Sequence, residues 1–594
     1  MANEIYHQSN WGSPKKDGWG DSYFNPSATN KLYTRSDNYE NSNGTDKALA
    51  SKPDTQSVLM TPTAYSVGSM NSILPPYEVL PTELVTNGDF SDGLNNWSYQ
   101  GDSITIVDGA VRLSRVTNIT FIRQNILTSN KTYLVEFDVL DKVDNNGTFI
   151  VRLGTNNVYD VSSYEGTRFS KYIVSNGIDF RIYSSSNNGV ITIDNVSIKE
   201  VRNADFTFDR NSTATRVNKE GLIETVAIDT PRLDYPLIDG VVQSEPALLL
   251  EPARTQLIDY SEDFSQWTTQ SATITPNNEI SPDGTQNADL ITNTSANGYV
   301  AKAPSFNANL EYTFSVFVKA GTSNLFSLVY TPFMSQVISV EFDLSSEAAT
   351  VNTGTPTNFG IDNFGNGWFR IFITEPKNAT TGTSFVRVVL SGSTSDTGYI
   401  WGAQLEQGSY PTSYIPTQGS AVTRSAETAN GAGTSDDFND SEGVLFAEIS
   451  ALADDSSLRE ISISDGTNDN RVELRYGSAS NKIQLTLRDG GTVQCSLVNE
   501  NYNILQYNKA AGKYKANDFA LWVNGFKLDT DTSGTTPSGL NQLAFDSGDG
   551  TEEFYGKAKE LSAFKEALTD SELEALTSWD SFNDMATGQE YSIR

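Results

Sequence analysis

The sequence predicts an all-β protein made of tandem antiparallel β-sandwiches. Apolar residues alternate in period two along short runs such as Tyr133-Leu134-Val135-Glu136-Phe137 and Phe369-Arg370-Ile371-Phe372-Ile373. Turn dipeptides such as Asn146-Gly147 separate these runs, and amphipathic helical patterns are missing over most of the chain. Short alternating strands with frequent turn signals are typical of sandwiches rather than of α/β folds.

At roughly 100–200 residues per domain, the 594 residues suggest about three or four globular units. The composition shifts at Pro75, Pro76 and Pro81, and again in a Gly-, Ser- and Thr-rich stretch after residue 417. We therefore divide the chain as follows: an extended N-terminal arm 1–83, a jelly roll 84–201, a connector 202–256, a second jelly roll 257–417, a linker 418–441 and a third sandwich 442–594.

The two predicted jelly rolls follow one plan. The first opens with Asn87-Gly88-Asp89-Phe90-Ser91 and Trp97, and the second with Ser261-Glu262-Asp263-Phe264-Ser265 and Trp267. Each then has a strand that begins with a tyrosine, Tyr133 or Tyr312. Duplication of one module is the simplest account of this pattern.

The third unit carries the sharpest local signals. Asn524-Gly525 stands between two apolar runs and predicts a two-residue hairpin. Thr569 followed by Glu572 has the form of a capping box and predicts a short helix near the C-terminus.

The 84–201 unit resembles jelly-roll carbohydrate-binding modules, on its opening motif Asn87–Phe90 and its closing strand Ile193-Asp194-Asn195-Val196. The resemblance implies a structural calcium held by Asp89 or Asp92 together with Asp194, and carboxylates suit that cation. The alternative is that these residues only cap turns. No other cofactor is expected.

The 442–594 unit resembles concanavalin A-like and laminin G-like domains. The resemblance rests on the hairpin Leu521-Trp522-Val523-Asn524-Gly525 and on Lys559–Phe564 followed by Ala567–Leu573. It implies a lectin-like sandwich at the end of the chain.

The connectors resemble segments that recur in structural proteins of tailed bacteriophages. The matching stretches are Phe206–Asn218, Gly221–Glu224, Thr230–Tyr235, Leu249–Leu257 and Pro411–Thr417. The resemblance implies a virion appendage, a fibre or decoration on head or tail, on the surface of the extracellular particle. Such proteins are often trimers, so we expect a homo-oligomer, with a trimer favoured.

Composition excludes several functions. The formal charge of −33 repels nucleic-acid phosphates, so we expect no nucleic-acid partner. The single histidine, His7, and the single cysteine, Cys495, exclude histidine-dependent triads, Cys–His pairs and intramolecular disulfides. Carboxylates, Tyr, Lys, Ser and Thr are left as potential catalysts. No apolar run is long enough for membrane insertion, and no signal peptide is recognised.

The arm is the predicted anchor. Residues 1–80 hold eight acidic and six basic residues, so the arm is nearly neutral while the remainder is acidic. Large aromatics occur singly there, and we expect them to dock on capsid or tail proteins. These anchor residues are Trp11, Trp19, Tyr23, Phe24 and Tyr33. The alternative is a disordered tail.

The sequence thus predicts a non-enzymatic structural protein that adheres to host surface glycans. One alternative is a carboxylate-dependent polysaccharide depolymerase, and another is a non-viral secreted glycan-binding protein. The sequence assigns no glycan-binding residues. Six aromatic residues are candidates for stacking on sugars, but we favour the interpretation that they form the sandwich cores. They are Trp97, Tyr99, Trp267, Trp368, Trp401 and Trp522.

Overall fold

The structure is a computed structural model that describes most of the chain after residue 77. The residues left out there are 130, 145–148, 155–156, 162–163, 165, 185–188, 203–205, 332–336, 377–380, 580–590 and 594. Before residue 78 only 3–5, 56–60, 65–66 and 69–70 are described. The predicted anchor residues Trp11, Trp19, Tyr23, Phe24 and Tyr33 lie outside the described residues.

The chain folds into two compact units. The smaller unit is 73–204, and the larger one combines 1–72 with 205–594. The first predicted jelly roll is therefore a unit by itself, whereas the other two sandwiches and both connecting segments belong to one unit.

The smaller unit consists of antiparallel strands. Four short strands precede it, β1 (Asn3–Ile5), β2 (Gln56–Met60), β3 (Tyr65–Ser66) and β4 (Ser69–Met70). Its own strands are β5 (Glu78–Glu83), β6 (Ser98–Gln100), β7 (Ser103–Val107), β8 (Ala110–Arg115), β9 (Phe121–Asn125), β10 (Thr132–Asp144), β11 (Phe149–Leu153), β12 (Asn157–Asp160), β13 (Thr167–Val174), β14 (Asp179–Ser184) and β15 (Gly189–Arg202).

These strands form two sheets, β13-β10-β15-β8-β7 with β5 added to β15, and β12-β11-β14-β9-β6. The period-two residues face inward, as predicted: Phe149, Val151 and Leu153 of β11 are fully buried between the sheets.

The larger unit begins with connector strands and the second sandwich. The connector contributes β16 (Phe206–Asp209), β17 (Ala214–Val217), β18 (Ile223–Val226), β19 (Arg232–Asp234), β20 (Leu237–Ile238), β21 (Val241–Val242), β22 (Ala247–Leu250) and β23 (Arg254–Gln256). The sandwich contributes β24 (Thr268–Gln270), β25 (Ala272–Glu279), β26 (Ala288–Asn293), β27 (Tyr299–Lys302), β28 (Ser305–Phe306), β29 (Tyr312–Ala320), β30 (Leu325–Thr331), β31 (Ile338–Asp343), β32 (Ala348–Thr353), β33 (Asn358–Gly365), β34 (Trp368–Glu375), β35 (Gly382–Thr383), β36 (Phe385–Leu390) and β37 (Thr397–Gln407).

The second sandwich repeats the strand order of the first. Its sheets run β33-β34-β29-β37-β26-β25 and β32-β31-β30-β36-β27-β24. The central strands β29 and β37 correspond to β10 and β15 of the first sandwich. Every other strand of the first sandwich's two five-strand orders then has a counterpart at the same place in the second, which adds β33 and β32 as edge strands. This agreement supports the duplication inferred from the motifs.

The third sandwich closes the chain with the strands β38 (Val422–Arg424), β39 (Thr428–Asn430), β40 (Glu442–Ala451), β41 (Arg459–Ser464), β42 (Arg471–Tyr476), β43 (Ile483–Asp489), β44 (Thr492–Asn499), β45 (Asn508–Lys515), β46 (Phe519–Val523), β47 (Phe526–Asp531), β48 (Gln542–Ala544), β49 (Gly556–Phe564) and β50 (Tyr591–Ile593), and the helix α1 (Asp570–Thr577). One sheet is β44-β43-β42-β41-β48, and the other is β19-β22-β49-β40-β45-β46-β47 with β2 added to β49. The all-β class with tandem antiparallel sandwiches is therefore confirmed.

Both sharp local signals of the third unit are confirmed. Asn524 and Gly525 have φ of 50° and 85° and join β46 to β47, as a type I′ hairpin requires. The backbone N–H of Thr569 donates to the Glu572 carboxylate at 2.8 Å, which completes the predicted cap of α1. No helix among the described residues is long and apolar enough to cross a membrane.

Two predicted boundaries need correction. The arm does not extend to residue 83, because β2 pairs with β49 of the third sandwich, with Val58 and Met60 fully buried, and β5 pairs with β15. Covering a sheet edge in this way satisfies backbone groups that would otherwise be exposed. The stretch 418–441 is not a detached linker either, since it contains β38 and β39 and buries Ala429 and Ala432.

A buried network of charges joins the segments on either side of the second sandwich. We call it the Arg–Glu network: Arg210, Arg232, Glu251, Arg424 and Glu427, all at most 2% exposed. Arg232 donates from Nε to Glu427 Oε1 and from Nη1 to Glu251 Oε2, each at 2.8 Å. Arg210 Nη1 also donates to Glu427 Oε1 at 2.8 Å, and Arg424 Nη1 lies 2.8 Å from Glu251 Oε2.

Further hydrogen bonds satisfy other donors of the network. Arg232 Nη1 donates to the Thr215 carbonyl, and Arg424 Nη2 donates to the Pro252 carbonyl. Although burial opposes ionisation, the charges of Arg424 and Arg232 hold the pKa of Glu251 well below its usual value. Glu251 therefore stays charged, and the network ties 210–251 to 424–427.

We expect Glu427→Gln to lower the free energy of unfolding of the larger unit by about 3–5 kcal/mol, because it leaves two buried guanidinium groups without their shared carboxylate. Calorimetric unfolding of the full chain measures this change. The control is Glu442→Gln, which removes a solvent-exposed ion pair with Lys515 at 2.8 Å and is expected to change the free energy of unfolding much less. Equal effects of the two substitutions would contradict a stabilising role for the network.

Candidate functional site

The opening motif of the first jelly roll is a tightly bonded turn. The Asp89 carboxylate accepts from the backbone N–H and the hydroxyl of Ser91, at 3.2 and 2.9 Å. The Trp97 indole donates to the Asn87 carbonyl at 2.9 Å and stacks on Phe90 with ring centroids 5.4 Å apart. The motif is thus anchored to the core by its aromatic residues.

The second jelly roll reproduces this turn. Asp263 accepts from the backbone N–H of Ser265 at 3.1 Å, and the Trp267 indole donates to the Tyr260 carbonyl at 2.9 Å. The tyrosine at the start of the long strand also has the same role, since the Tyr133 and Tyr312 hydroxyls accept from a backbone N–H five residues earlier. The two modules therefore share hydrogen bonds as well as strand order.

The residues predicted to hold calcium lie at or near this turn in the first module. Burial raises the pKa of Asp194, and the charges of Asp138 and Asp89 raise it further, so these carboxylates lie close enough to repel. The Asp92 backbone N–H donates to Asn87 Oδ1 at 3.1 Å. Among the described residues no group of three or more acidic, His or Cys side chains is arranged to hold a metal ion. Calcium binding stays a prediction.

The tryptophans considered as sugar platforms are core residues. Trp97, Trp267, Trp368, Trp401 and Trp522 are all at most 5% exposed. Of that set only Tyr99 is exposed, at 57%. The interpretation of these tryptophans as sandwich core is confirmed.

An open pocket beside the opening motif of the second module is the main candidate site. It measures about 470 Å³. We call it the acid-lined pocket, and it is lined by Tyr260, Glu262, Asp263, Ser265, Pro276, Asn277, Asn287, Asp289, Pro416, Thr417 and Gln418. Most of these side chains are hydrogen-bonding groups, and the volume lies within the roughly 300–1,000 Å³ typical of small-molecule sites.

Asp289 supports the pocket from behind. It is 1% exposed, and burial raises its pKa to about 6. Its two oxygens accept from the backbone N–H groups of Phe264 and Asn277, both at 3.0 Å. The carboxylate therefore fixes the opening turn against the loop that contains Asn277.

Glu262 is more accessible. It accepts from the Tyr414 hydroxyl at 2.9 Å and from the Asn287 amide at 3.2 Å, and burial raises its pKa. Each carboxylate oxygen of Glu262 and Asp289 therefore already accepts a hydrogen bond from the protein. This arrangement suits binding of a hydroxylated ligand better than proton transfer to it.

Sequence reasoning did not single out Glu262 or Asp289. A signal was present for Asp289, because it interrupts the apolar run Ala288–Ile291 on a strand whose neighbours are buried. A carboxylate at such a position implies compensating donors nearby.

No protein-family model matches the chain, and a search of curated proteins finds no match. Among solved structures, the tandem CBM22 domains of Paenibacillus barcinonensis Xyn10C align over 56% of this chain and 99% of theirs, at 9% identity and a TM-score of 0.20. Mouse laminin alpha1 domains LG4-5 align over 55% of this chain and 92% of theirs, at 9% identity and a TM-score of 0.18. Trypanosoma rangeli sialidase aligns over 89% of this chain and 100% of its own, at 10% identity and a TM-score of 0.21. These similarities are too low to carry any conclusion about function.

Proposed function

We propose that the chain is a non-enzymatic, glycan-binding appendage of a tailed-phage virion. The observation that carries glycan binding is the acid-lined pocket, an open cavity of about 470 Å³ whose lining consists mainly of hydrogen-bonding side chains. The virion assignment is supported by the resemblance of the connector segments to phage structural proteins. The Arg–Glu network gives those segments a physical role, because Arg210, Arg232 and Glu251 all belong to them.

In this proposal the N-terminal residues attach the protein to capsid or tail proteins, and the sandwiches face the host. Gln56–Met60 are built into a sheet of the third sandwich, so the proposed anchor is confined to residues 1–55. A trimer would multiply weak glycan contacts into useful avidity.

A depolymerase is the second candidate, and one observation favours it. Asp289 and Glu262 both have a raised pKa and both line the acid-lined pocket, as acid and base of a glycosidase would. Against it, all four carboxylate oxygens accept hydrogen bonds from the protein. We therefore favour binding over hydrolysis.

The purified full chain is expected to bind host surface polysaccharide without releasing new reducing ends. Glu262→Gln should weaken this binding about tenfold, because it removes a charged acceptor from the pocket. Biolayer interferometry on immobilised polysaccharide measures the affinity, and Glu442→Gln is the matched control. Sustained release of reducing ends would establish the enzyme, and unchanged affinity of Glu262→Gln would move the binding site elsewhere.

Deleting residues 1–55 is expected to leave the sandwiches folded and to abolish incorporation into particles. The cut spares β2, whose Val58 and Met60 are buried. Circular dichroism checks the fold, and immunoblotting of purified particles measures incorporation. Normal incorporation of the truncated chain would contradict the anchor.

Calcium is expected to raise the melting temperature of the chelator-treated full chain, because a cation would relieve the repulsion that Asp194 experiences from Asp89 and Asp138. The shift should be lost in Asp194→Asn and kept in the control Asp108→Asn. A melting temperature that does not respond to calcium would dismiss the predicted site.

A further inference from the structure

The first jelly roll exposes apolar side chains along one edge of its sandwich. The edge is formed by β6 and β7, and among the described residues β6 pairs only with β9 and β7 only with β8. We call it the apolar edge, because five large apolar residues on these strands and on the loop between β8 and β9 are 38–57% exposed: Tyr99, Ile106, Val107, Val116 and Ile119. Exposed apolar patches on soluble proteins mark interaction surfaces.

Strand β7 lacks the features that normally protect an edge strand. Its sequence, Ser103-Ile104-Thr105-Ile106-Val107, contains no charged residue and no proline. It pairs with β8 in unbroken register over its whole length, so no bulge interrupts it. Proteins usually protect such strands with a charge, a proline or a bulge, because an unprotected edge can accept another strand.

The second jelly roll protects the same edge. Ile106 and Pro276 each stand nine residues after the tryptophan of their module's opening motif, on the equivalent strands β7 and β25. The pairing of β25 with β26 also shifts register between Thr275 and Glu279. Since the same module can be built with a proline and an irregular edge, the open edge of the first copy is not a requirement of the fold.

The loop beside the start of β7 is held firmly in place. The Asp102 carboxylate accepts from the backbone N–H groups of Val116, Thr117 and Asn118, at 2.7, 2.6 and 2.9 Å. These hydrogen bonds, that of Thr117 first, hold the pKa of Asp102 well below its usual value. Val116 and Ile119 therefore keep their exposed positions without a partner, and little order has to be gained when one arrives.

The backbone of β7 offers hydrogen bonds outward at two residues. The two-residue turn Asp108-Gly109, with φ of 52° and 88°, joins β7 to β8 as a type I′ hairpin. Val107 and Ala110 then form a hydrogen-bonded pair, and every second residue of β7 before them bonds to β8 as well. The intervening residues, Ile104 and Ile106, direct their N–H and C=O groups away from β8.

This strand is complementary to itself. When two copies of β7 run antiparallel about a two-fold axis at Thr105, Ile104 of each copy stands opposite Ile106 of the other. Each of these two pairs exchanges two backbone hydrogen bonds. It is also the register in which all five residues of the strand are paired. The symmetric contact closes after two copies.

The side chains favour the same contact. Ile104 and Ile106 stand opposite the fully buried Leu113 and Val111 of β8, so they lie on the core side of the sheet. Pairing covers Ile106, which is 38% exposed, with Ile104 of the second copy. Copies with a formal charge of −33 repel each other elsewhere, whereas β7 itself is uncharged.

We propose that the apolar edge is a contact between two copies of this chain, in which their β7 strands pair antiparallel about Thr105 and join two sheets into one. The inference does not depend on glycan binding. The contact is two-fold, so it adds to any three-fold association: a trimer that used it would become a particle of six copies.

Sedimentation equilibrium of the full chain tests the contact. The unsubstituted chain should associate into an even number of copies, and more strongly as salt screens Asp102 and Asp108 at the two ends of the paired strands. Ile106→Pro should halve the mass, because it removes an outward N–H donor and installs the residue that the second jelly roll has at this place. Ile106→Lys should do the same by placing a charge in the contact.

The matched control is Ile178→Lys, which changes another exposed isoleucine of the same unit and should leave the mass unchanged. Melting curves check that each variant is folded, and Ile106→Lys keeps the test decisive if the proline variant does not fold. The inference is overturned if the unsubstituted chain is a monomer or forms an odd number of copies. A folded Ile106 variant that keeps the full mass overturns it as well.

Cross-linking tests the register. Residues at the axis form a non-hydrogen-bonded pair with Cα atoms about 4.5 Å apart, which suits a disulfide, so Thr105→Cys should form a covalent dimer under mild oxidation. In Ser103→Cys the two thiols belong to residues roughly 13 Å apart along the strands and should not join. The native Cys495 is buried and gives no background. Equal cross-linking of both variants would contradict the proposed pairing.

Discussion

The Arg–Glu network is the interaction on which the larger unit depends. Its charges come from chain segments separated by the whole second sandwich, with Glu251 and Glu427 176 residues apart, and Glu427 also accepts from the Glu251 backbone N–H. Buried ions are costly unless every partner is present, so the connectors can fold in this way only when both ends of the sandwich have met. The network therefore makes the connectors a structural part of the unit.

The two jelly rolls show how one module can be kept while its surface changes. The turn that carries Asp89 or Asp263 and the strand order are the same, and the bulged positions Asn195 and Gly402 both have positive φ. Directly before the bulge, however, the first module has Asp194 and the second has buried Trp401. The first module thus concentrates carboxylates at this edge, whereas the second fills it with an aromatic ring and opens a pocket beside the turn.

Local chemistry in the sequence predicted local structure well. Period-two runs became strands, Asn524-Gly525 became a hairpin, and Thr569 with Glu572 capped a helix, because each of these depends on neighbours in the chain. Long-range pairing was not predictable in this way. Val58 and Met60 look like an isolated apolar pair until β49 covers them, and Arg424 looks like a linker residue until Glu251 meets it. The candidate sites were missed for the same reason, since they are made by residues far apart in sequence.

Charge distribution limits which glycans the proposed function can involve. The chain has a formal charge of −33, so a polyanionic polysaccharide would be repelled over most of the surface. Within the larger unit each buried arginine of the Arg–Glu network forms an ion pair with Glu251 or Glu427. Under the proposed function, affinity for each sugar would be modest, and attachment would depend on several weak contacts acting together on one particle.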